Sequence, residues 1–283
     1  MNRSIILHRM GRSKLFMTGF FGVMVVIILT LIAPLIIVHD PYTSSLTMRL
    51  SPPEWFSNGW SGYVLGTDAV GRDILTRLLI GARYSLFVAL VVSCSACLIG
   101  VTVGMISGYC GGIVDMVLMR VCDIVNSIPD LLLAIVVVTI FGTGLKNLVI
   151  ILICTSWVSF ARLTRNNVMV IRNKEFVLAA RSLGAKNMFI MFKEILANVT
   201  TPLLIQFSQM IGKVIRLEAS LSFLDLGVPP PAPSWGGMIS TGRSHIQVAP
   251  WTVVFPGICL MWTLMSFNFL GDGLRDVLDP KRT

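Results

Sequence analysis

The sequence predicts an all-α membrane protein with six transmembrane helices and both termini in the cytoplasm. Three observations carry that prediction. Of 283 residues, 54% are hydrophobic and 13% are charged, about half the charged share of a soluble domain. Uncharged apolar runs recur near the length of about 20 residues that a helix needs to cross a bilayer. Lys and Arg concentrate in one alternating set of connecting segments, as they do in cytoplasmic loops. Mean hydropathy is +0.80, more apolar surface than a soluble fold of this length can bury. A disordered chain needs the opposite composition.

The net charge is +9 with a sequence pI near 9.6. In a soluble chain that balance points to nucleic acid; between apolar spans it is the charge of cytoplasmic loops, and no nucleic-acid partner is expected. The cysteines Cys94, Cys97, Cys110, Cys122, Cys154 and Cys259 lie in or beside apolar stretches. Cys94 and Cys97 form a C-x-x-C without a second pair or a nearby His, so they read as helix-packing residues rather than as a metal or redox site.

Residues 1–14 form a basic cytoplasmic tail (Arg3, Arg9, Arg12, Lys14), and residues 15–283 form a single transmembrane domain. Leu15 to Val38 is uncharged and too long for a signal-peptide core, so it is a retained first span. Span two is about 84–106, before the glycines at 108, 111 and 112 mark a turn. Span three, about 114–141, carries Asp115, Arg120, Asp123 and Asp130, and Pro129 should kink it. Span four is about 147–162, after the turn Gly142-Thr143-Gly144. Pro202 opens span five, about 202–224, in the position proline prefers at a helix start. Span six is about 251–270, with Pro256 a further kink and a charged tail from Asp272. With the N-terminus inside, the inner segments hold thirteen Lys and Arg and the outer segments six. Trp55, Trp60, Trp235 and Trp251 then fall near the outer interface, where Trp anchors helices.

The loop 163–201 between spans four and five is basic and amphipathic. Phe176, Ala179, Ala180 and Leu183 share one helical face, and Gly184 suits a left-handed helix stop. A second short helix comes next, with Met188, Met191, Phe192 and Ile195 on one face. Two helices meeting at a glycine make a knob. The small Ala179 and Ala180 admit another backbone, and Glu175, Arg181 and Lys186 surround it with charge. The pattern fits a docking knob and equally a hairpin lying on lipid.

Ionisable groups inside spans are costly and face a cavity or a partner. Lys213 and Arg216 share a face of span five; Glu218 points elsewhere; Asp123 lies in span three with Arg120. Two readings fit: a translocation path that compensates anionic cargo, or pairing of Lys213 and Arg216 with Asp123, Glu218 or a partner subunit. The outer loop carries Gly66, Thr67, Asp68, Arg72 and Asp73, as a docking surface or, more readily, as groups that fold the loop on itself.

Several stretches resemble the inner-membrane permeases of type I ABC importers, in the dipeptide, oligopeptide and nickel branch. Ala179-Ala180-Arg181 with Gly184-Ala185 is similar to the family's cytoplasmic coupling motif Glu-Ala-Ala-x-x-x-Gly, with Leu178 in place of its Glu. Asn198 matches an Asn of the family, and Ala197 replaces the Pro before it. Leu65 to Asp73, with Arg77, Gly81-Ala82-Arg83 and Ser85-Leu86, resembles the branch's outer-loop signature. Ser220 to Val228 resembles a further signature, with Asp225 in place of a Gly. Pro231 to Met238 and Phe267 to Pro280 resemble two more. The resemblance covers nearly the whole chain.

It implies a heterodimer with a second homologous permease, two ATPase subunits below and a solute-binding protein outside, in a bacterial cytoplasmic (inner) membrane. Phe176, Ala179, Ala180, Arg181, Gly184 and Ala185 would dock an ATPase. Peptides are the first cargo implied, nickel or a metal chelate the second. No G-x-x-x-x-G-K-S/T is present, since Gly212-Lys213 is followed by Val214 and Ile215. ATP and Mg therefore belong to the ATPase subunits, and this chain is expected to bind no cofactor or metal and to have no catalytic residue. His8, His39 and His245 all lie outside the middles of the spans, which speaks mildly against direct metal coordination. A stand-alone secondary transporter would show inverted repeats, and no clear repeat relates the two halves.

Overall fold

The computed structural model describes residues 3–56 and 62–278, with side chains from residue 8 onward. Trp60, Asp279 and Pro280 lie outside the described residues. The first helices are α1 (Arg3–Arg12) and α2 (Lys14–Ile36), the latter capped by Ser13, whose hydroxyl accepts from the Phe16 amide. Then come α3 (Ile74–Cys110), α4 (Gly112–Ser127), α5 (Asp130–Phe141) and α6 (Leu145–Ile171). The short α7 (Glu175–Ser182) and α8 (Asn187–Phe189) precede a π-helical turn, Ile190–Ile195, and α9 (Leu196–Phe223). Helices α10 (Trp235–Gly242) and α11 (Trp251–Leu278) complete the chain.

Among the described residues, five helical stretches are long and apolar enough to cross a membrane, or six if the bent pair α4–α5 is counted as one span. The six expected spans fall on these helices, which run longer than the expected spans. The helix that carries the expected span two begins at Ile74, ten residues before Tyr84, because Asp73 caps it by accepting from the Leu75 and Thr76 amides. Span four runs to Ile171 and span six to Leu278, so most of the expected charged tail is helix.

The stretch expected as span three forms two helices that meet at 83° around Ile128-Pro129, a sharper change of direction than the expected kink. Proline disfavours a helical residue before it, and Ile128 is extended at φ −100°, ψ 124°. Pro202 does not open span five. It lies inside a helical stretch that begins at Asn187 and ends at Phe223. The i to i−4 bond that Pro202 cannot donate would have gone to the Asn198 carbonyl, and α9 runs on past it.

The core is set by α3, which packs along α6 and α9; α11 packs on α2 and α9. Gly100, Gly104 and Gly108 form a small-residue stripe of α3 against α6. A Cβ added at Gly104 would sit 2.4 Å from the Ala161 carbonyl oxygen. Lipid offers apolar side chains no reason to leave it, so close backbone approach at small residues supplies much of the association between spans. Val88, Val92, Leu148, Phe160, Val214 and Ile215 fill the core around this contact.

Candidate coupling and translocation sites

At one end of the bundle α7, α8 and the π-helical turn form the knob. Gly184 stops α7 at φ +80°, and its amide donates to the Arg181 carbonyl. Val177, Ile190 and Ile195 are buried and hold the knob to the core. The other side is bare: Phe176, Leu178, Leu183, Met188, Phe189 and Phe192 are exposed, Leu183 at 88%. Ala179 is exposed beside them, and Ala180 and Ala185 are half-buried against the core.

The expected face of the second helix splits. Met191 and Ile195 turn inward, whereas Met188 and Phe192 turn outward, because the π-helical turn adds a residue and rotates the residues beyond it. A left-handed stop tolerates few side chains. Gly184→Ala is therefore expected to cost about 1 kcal/mol of local stability and to raise amide hydrogen exchange across 175–190. Unchanged exchange would remove the left-handed stop as the knob's constraint.

Within the spans, Lys213 Nζ lies 3.0 Å from Asp130 Oδ2, at the start of α5 beside the break. Asp123 instead pairs with Arg162 at 2.8 Å. Glu218 is 1% exposed; Ser85 and Ser222 donate to its two carboxyl oxygens at 3.0 and 2.8 Å. Glu218 is thus sealed between α3 and α9, and neither it nor Asp123 is the partner of Lys213 or Arg216. The sequence placed Asp130 in span three without linking it to Lys213, since only the 83° break brings it across to α9.

Arg216 is exposed and makes no ion pair among the described residues. It lines an open cleft of about 380 Å³ with Ser220, Phe223, Gly236, Ile239 and Leu264. Lys213 and Arg216, expected on one face, thus serve different neighbours.

At the opposite end the outer-loop residues fold on one another. Arg72 Nε donates to Asp68 Oδ2 at 2.7 Å. Asp68 Oδ1 accepts from the Val70 and Arg72 amides. The Thr67 hydroxyl donates to the Met48 carbonyl oxygen and accepts from the Ser51 amide. Gly66 and Gly71 are both at φ +78°, and a Cβ on Gly71 would collide with the Ser45 carbonyl. Arg77, 6% exposed, donates from Nη1 to the carbonyls of Pro41 and Pro231, with Nε 3.6 Å from Asp68. Apart from the Arg77 bond to Pro231, which ties the loop to the segment before α10, these bonds stay within the loop.

Residues 100–283 match the family model for the binding-protein-dependent transport system inner membrane component, and residues 4–53 match that for the N-terminal transmembrane domain of oligopeptide transport permease C. The chain belongs to this permease family. It is 40% identical over 263 residues to the dipeptide transport system permease protein DppC of Haemophilus influenzae, covering 93% of this chain and 89% of that one. It is 38% identical over 276 residues to the oligopeptide transport system permease protein OppC of Bacillus subtilis (96% and 88% covered). To the glutathione transport system permease protein GsiD of Escherichia coli it is 37% identical over 278 residues (97% and 89%). An inward-facing structure of the MetNI methionine ABC transporter superposes with a TM-score of 0.59 over 72% of this chain and 97% of that one. At 20% identity that likeness speaks to fold alone, and the fold is the type I ABC importer permease fold.

The permease is thus a multi-pass inner-membrane protein, the membrane component of a transporter rather than its ATPase. Its departures from the family pattern have local explanations. Asp225 sits at φ +60°, where glycine is easiest; Asp is among the residues that tolerate it, and Asp225 Oδ1 accepts from the Ser240 hydroxyl at 3.1 Å. Ala197 lies in the unbroken run from Asn187 to Phe223, where a proline would remove another backbone amide. Leu178 is exposed on the bare side of the knob and adds to its apolar surface. Trp235 is not an interface anchor: it is 2% exposed and donates from Nε1 to the Leu78 carbonyl. Trp251 ties the start of α11 to the Thr67 carbonyl at 3.2 Å.

Proposed function

We propose that this permease is one of two homologous membrane subunits, paired as a heterodimer, of an ATP-driven importer of di- or oligopeptides. In this reading two ATPase subunits hold ATP and Mg. An external solute-binding protein delivers cargo to the outer side, and both termini face the cytoplasm. The observation that carries it is the bare apolar side of the knob, from Phe176 to Phe192, at one end of a bundle whose sequence lacks a nucleotide-binding loop. An exposed contiguous apolar patch marks a protein or a membrane interaction site, and seating this one in an ATPase leaves it dry. The names of the relatives support peptide cargo over nickel. Closure of the ATPases on ATP would draw the knobs together and open the path outward; hydrolysis would reset it.

The permease itself contributes positioning and electrostatics. Arg216, standing in its open cleft, would meet a carboxylate as cargo passes, while Lys213, 3.0 Å from Asp130, would be neutralised until cargo competes for it. Glu218 and Asp123 belong to the framework. The outer-loop motif of Gly66, Thr67, Asp68, Arg72 and Asp73 holds its own shape, which supports a rigid outer rim.

The test is uptake of labelled di- and oligopeptides and of labelled nickel in a strain lacking this permease, with and without complementation. Peptide uptake is expected to vanish and nickel uptake to persist; the reverse result would move the cargo to a metal. Arg216→Met should lower peptide uptake about tenfold, the loss of about 1.4 kcal/mol of pathway stabilisation, with complex assembly intact. Lys213→Met combined with Asp130→Asn separates pairing from transport. Full recovery of uptake in the double variant would make the pair structural.

A further inference from the structure

Tyr109 ends the run of α3 before the hinge to α4. Its hydroxyl donates to Asn187 Oδ1 at 2.7 Å, at the start of α8. The Arg181 guanidinium stands 5.7 Å from the Tyr109 ring centroid, with Nη2 3.4 Å from the hydroxyl. One side chain of α3 therefore grips both legs of the knob. Among the described residues, the side-chain hydrogen bonds that join the knob to a helix distant in sequence run through Tyr109. The knob is already continuous with α9 and joined to α6 through residues 172–174, whereas α3 has no covalent link to it.

The same turn of α3 is held from α6. Arg172 Nη1 donates to the Gly108 carbonyl at 2.8 Å. Two residues past Tyr109 the chain passes through Gly111 and Gly112, at φ +67° and +54°, into α4. Asp115 in the first turn of α4 is then clamped by Arg165 of α6, through Nη2 at 2.6 Å and through Nε. A displacement of the knob thus arrives at the α3–α4 hinge, between two arginines that fix where α6 stands.

We propose that Tyr109 is a positioning residue that relays movement of the knob to α3 and, through the Gly111-Gly112 hinge, to the broken third span. The relay rests on the reading of the knob as the ATPase-docking element. Its hydroxyl bond and its ring stack act together: the first orients Asn187 at the start of α8, and the second holds the end of α7 through Arg181. Without them the knob still seats in the ATPase, and its motion reaches α9 and α6 directly but α3 only indirectly, through α6 and the Arg172 bond to Gly108.

The experiment uses the complete complex in lipid nanodiscs and proteoliposomes, with Tyr109→Phe and Tyr109→Ala. Hydrogen exchange is compared with and without ADP-vanadate, alongside ATP hydrolysis and accumulation of labelled dialanine. In the unaltered complex, trapping should change exchange both at 175–190 and at 104–110. In Tyr109→Ala the response at 175–190 should persist and that at 104–110 should shrink severalfold to what α6 alone passes on, with ATP hydrolysis within about twofold and dialanine uptake per ATP lowered about tenfold. Tyr109→Phe keeps the ring stack but loses the hydroxyl's bonds to Asn187 and Arg181, and should lose at least about fivefold, the factor that one neutral hydrogen bond supplies.

Normal exchange at 104–110 in Tyr109→Ala would overturn the relay, as would parallel loss of hydrolysis and uptake. An unaltered complex that accumulates no dialanine would count against the peptide cargo and leave the relay to be judged on exchange. A knob whose exchange ignores the ATPases would overturn the docking reading and the relay with it.

Discussion

Gly104→Val is expected to remove the permease from the membrane. A Cβ at this position would lie 2.4 Å from the Ala161 carbonyl oxygen and 2.7 Å from Thr164 Cβ. Both atoms belong to α6, the first to its backbone, so no side-chain rotation relieves the clash. Overpacking of a filled core typically costs about 1–3 kcal/mol. Here the obstacle is a helix backbone, with Gly100 and Gly108 in similarly close contact one turn to either side, so the cost should reach or exceed about 3 kcal/mol. Immunoblots of membranes should show the variant protein reduced several-fold, and the fraction that survives should unfold at lower temperature in detergent. Gly257→Val is the control, since nothing lies within 4 Å of a Cβ there. Normal levels of the Gly104 variant would mean that α3 and α6 are less closely apposed than the structure has them.

Arg77→Met is expected to free the outer loop while leaving the bundle assembled. The guanidinium is buried and serves the carbonyls of Pro41 and Pro231 as well as Asp68. Removing one partner of a buried charge cluster costs about 3–5 kcal/mol, the upper part of which is reduced here because Asp68 keeps its 2.7 Å bond to Arg72. Protease added from the outer side of spheroplasts should cut between residues 40 and 73 much faster than in the unaltered protein. Abundance in the membrane should stay nearly constant. Asp68→Asn should show the same direction with a smaller effect, since the Arg77 hydrogen bonds to carbonyls persist. A loop that stays resistant in Arg77→Met would return the outer motif to a docking role.

How the site was legible differs from residue to residue. Gly184 could be read from the sequence because a glycine after an amphipathic run has one common explanation, and its φ of +80° is that explanation. The exposure of Phe176 and Leu183 agreed with the helical spacing of their face. The split of Met188 and Phe192 from Met191 and Ile195 was not legible, because a π-helical turn leaves no mark in a pattern read at 3.6 residues per turn. The Gly100-Gly104-Gly108 stripe carries a spacing of four that is visible in the chain; its facing helix is not. Tyr109 carried no signal at all, since a tyrosine near a span end ordinarily reads as an interface anchor.

The chain's composition, its apolar run lengths and its ordered motifs determined the class, the family and the loop that forms the knob. These are local properties, set by how much of each segment can be solvated by lipid and by which residues can end a helix. Tertiary structure alone decided the rest. It joined Lys213 to Asp130 instead of Asp123 or Glu218, sealed Glu218 between two serines, and placed Trp235 in the core. It also broke span three at 83° and set Tyr109 against both legs of the knob. Each of these depends on the rotation and height of one helix against another. Helical periodicity fixes which residues share a face but not which neighbour that face meets, and only packing at small residues sets that register.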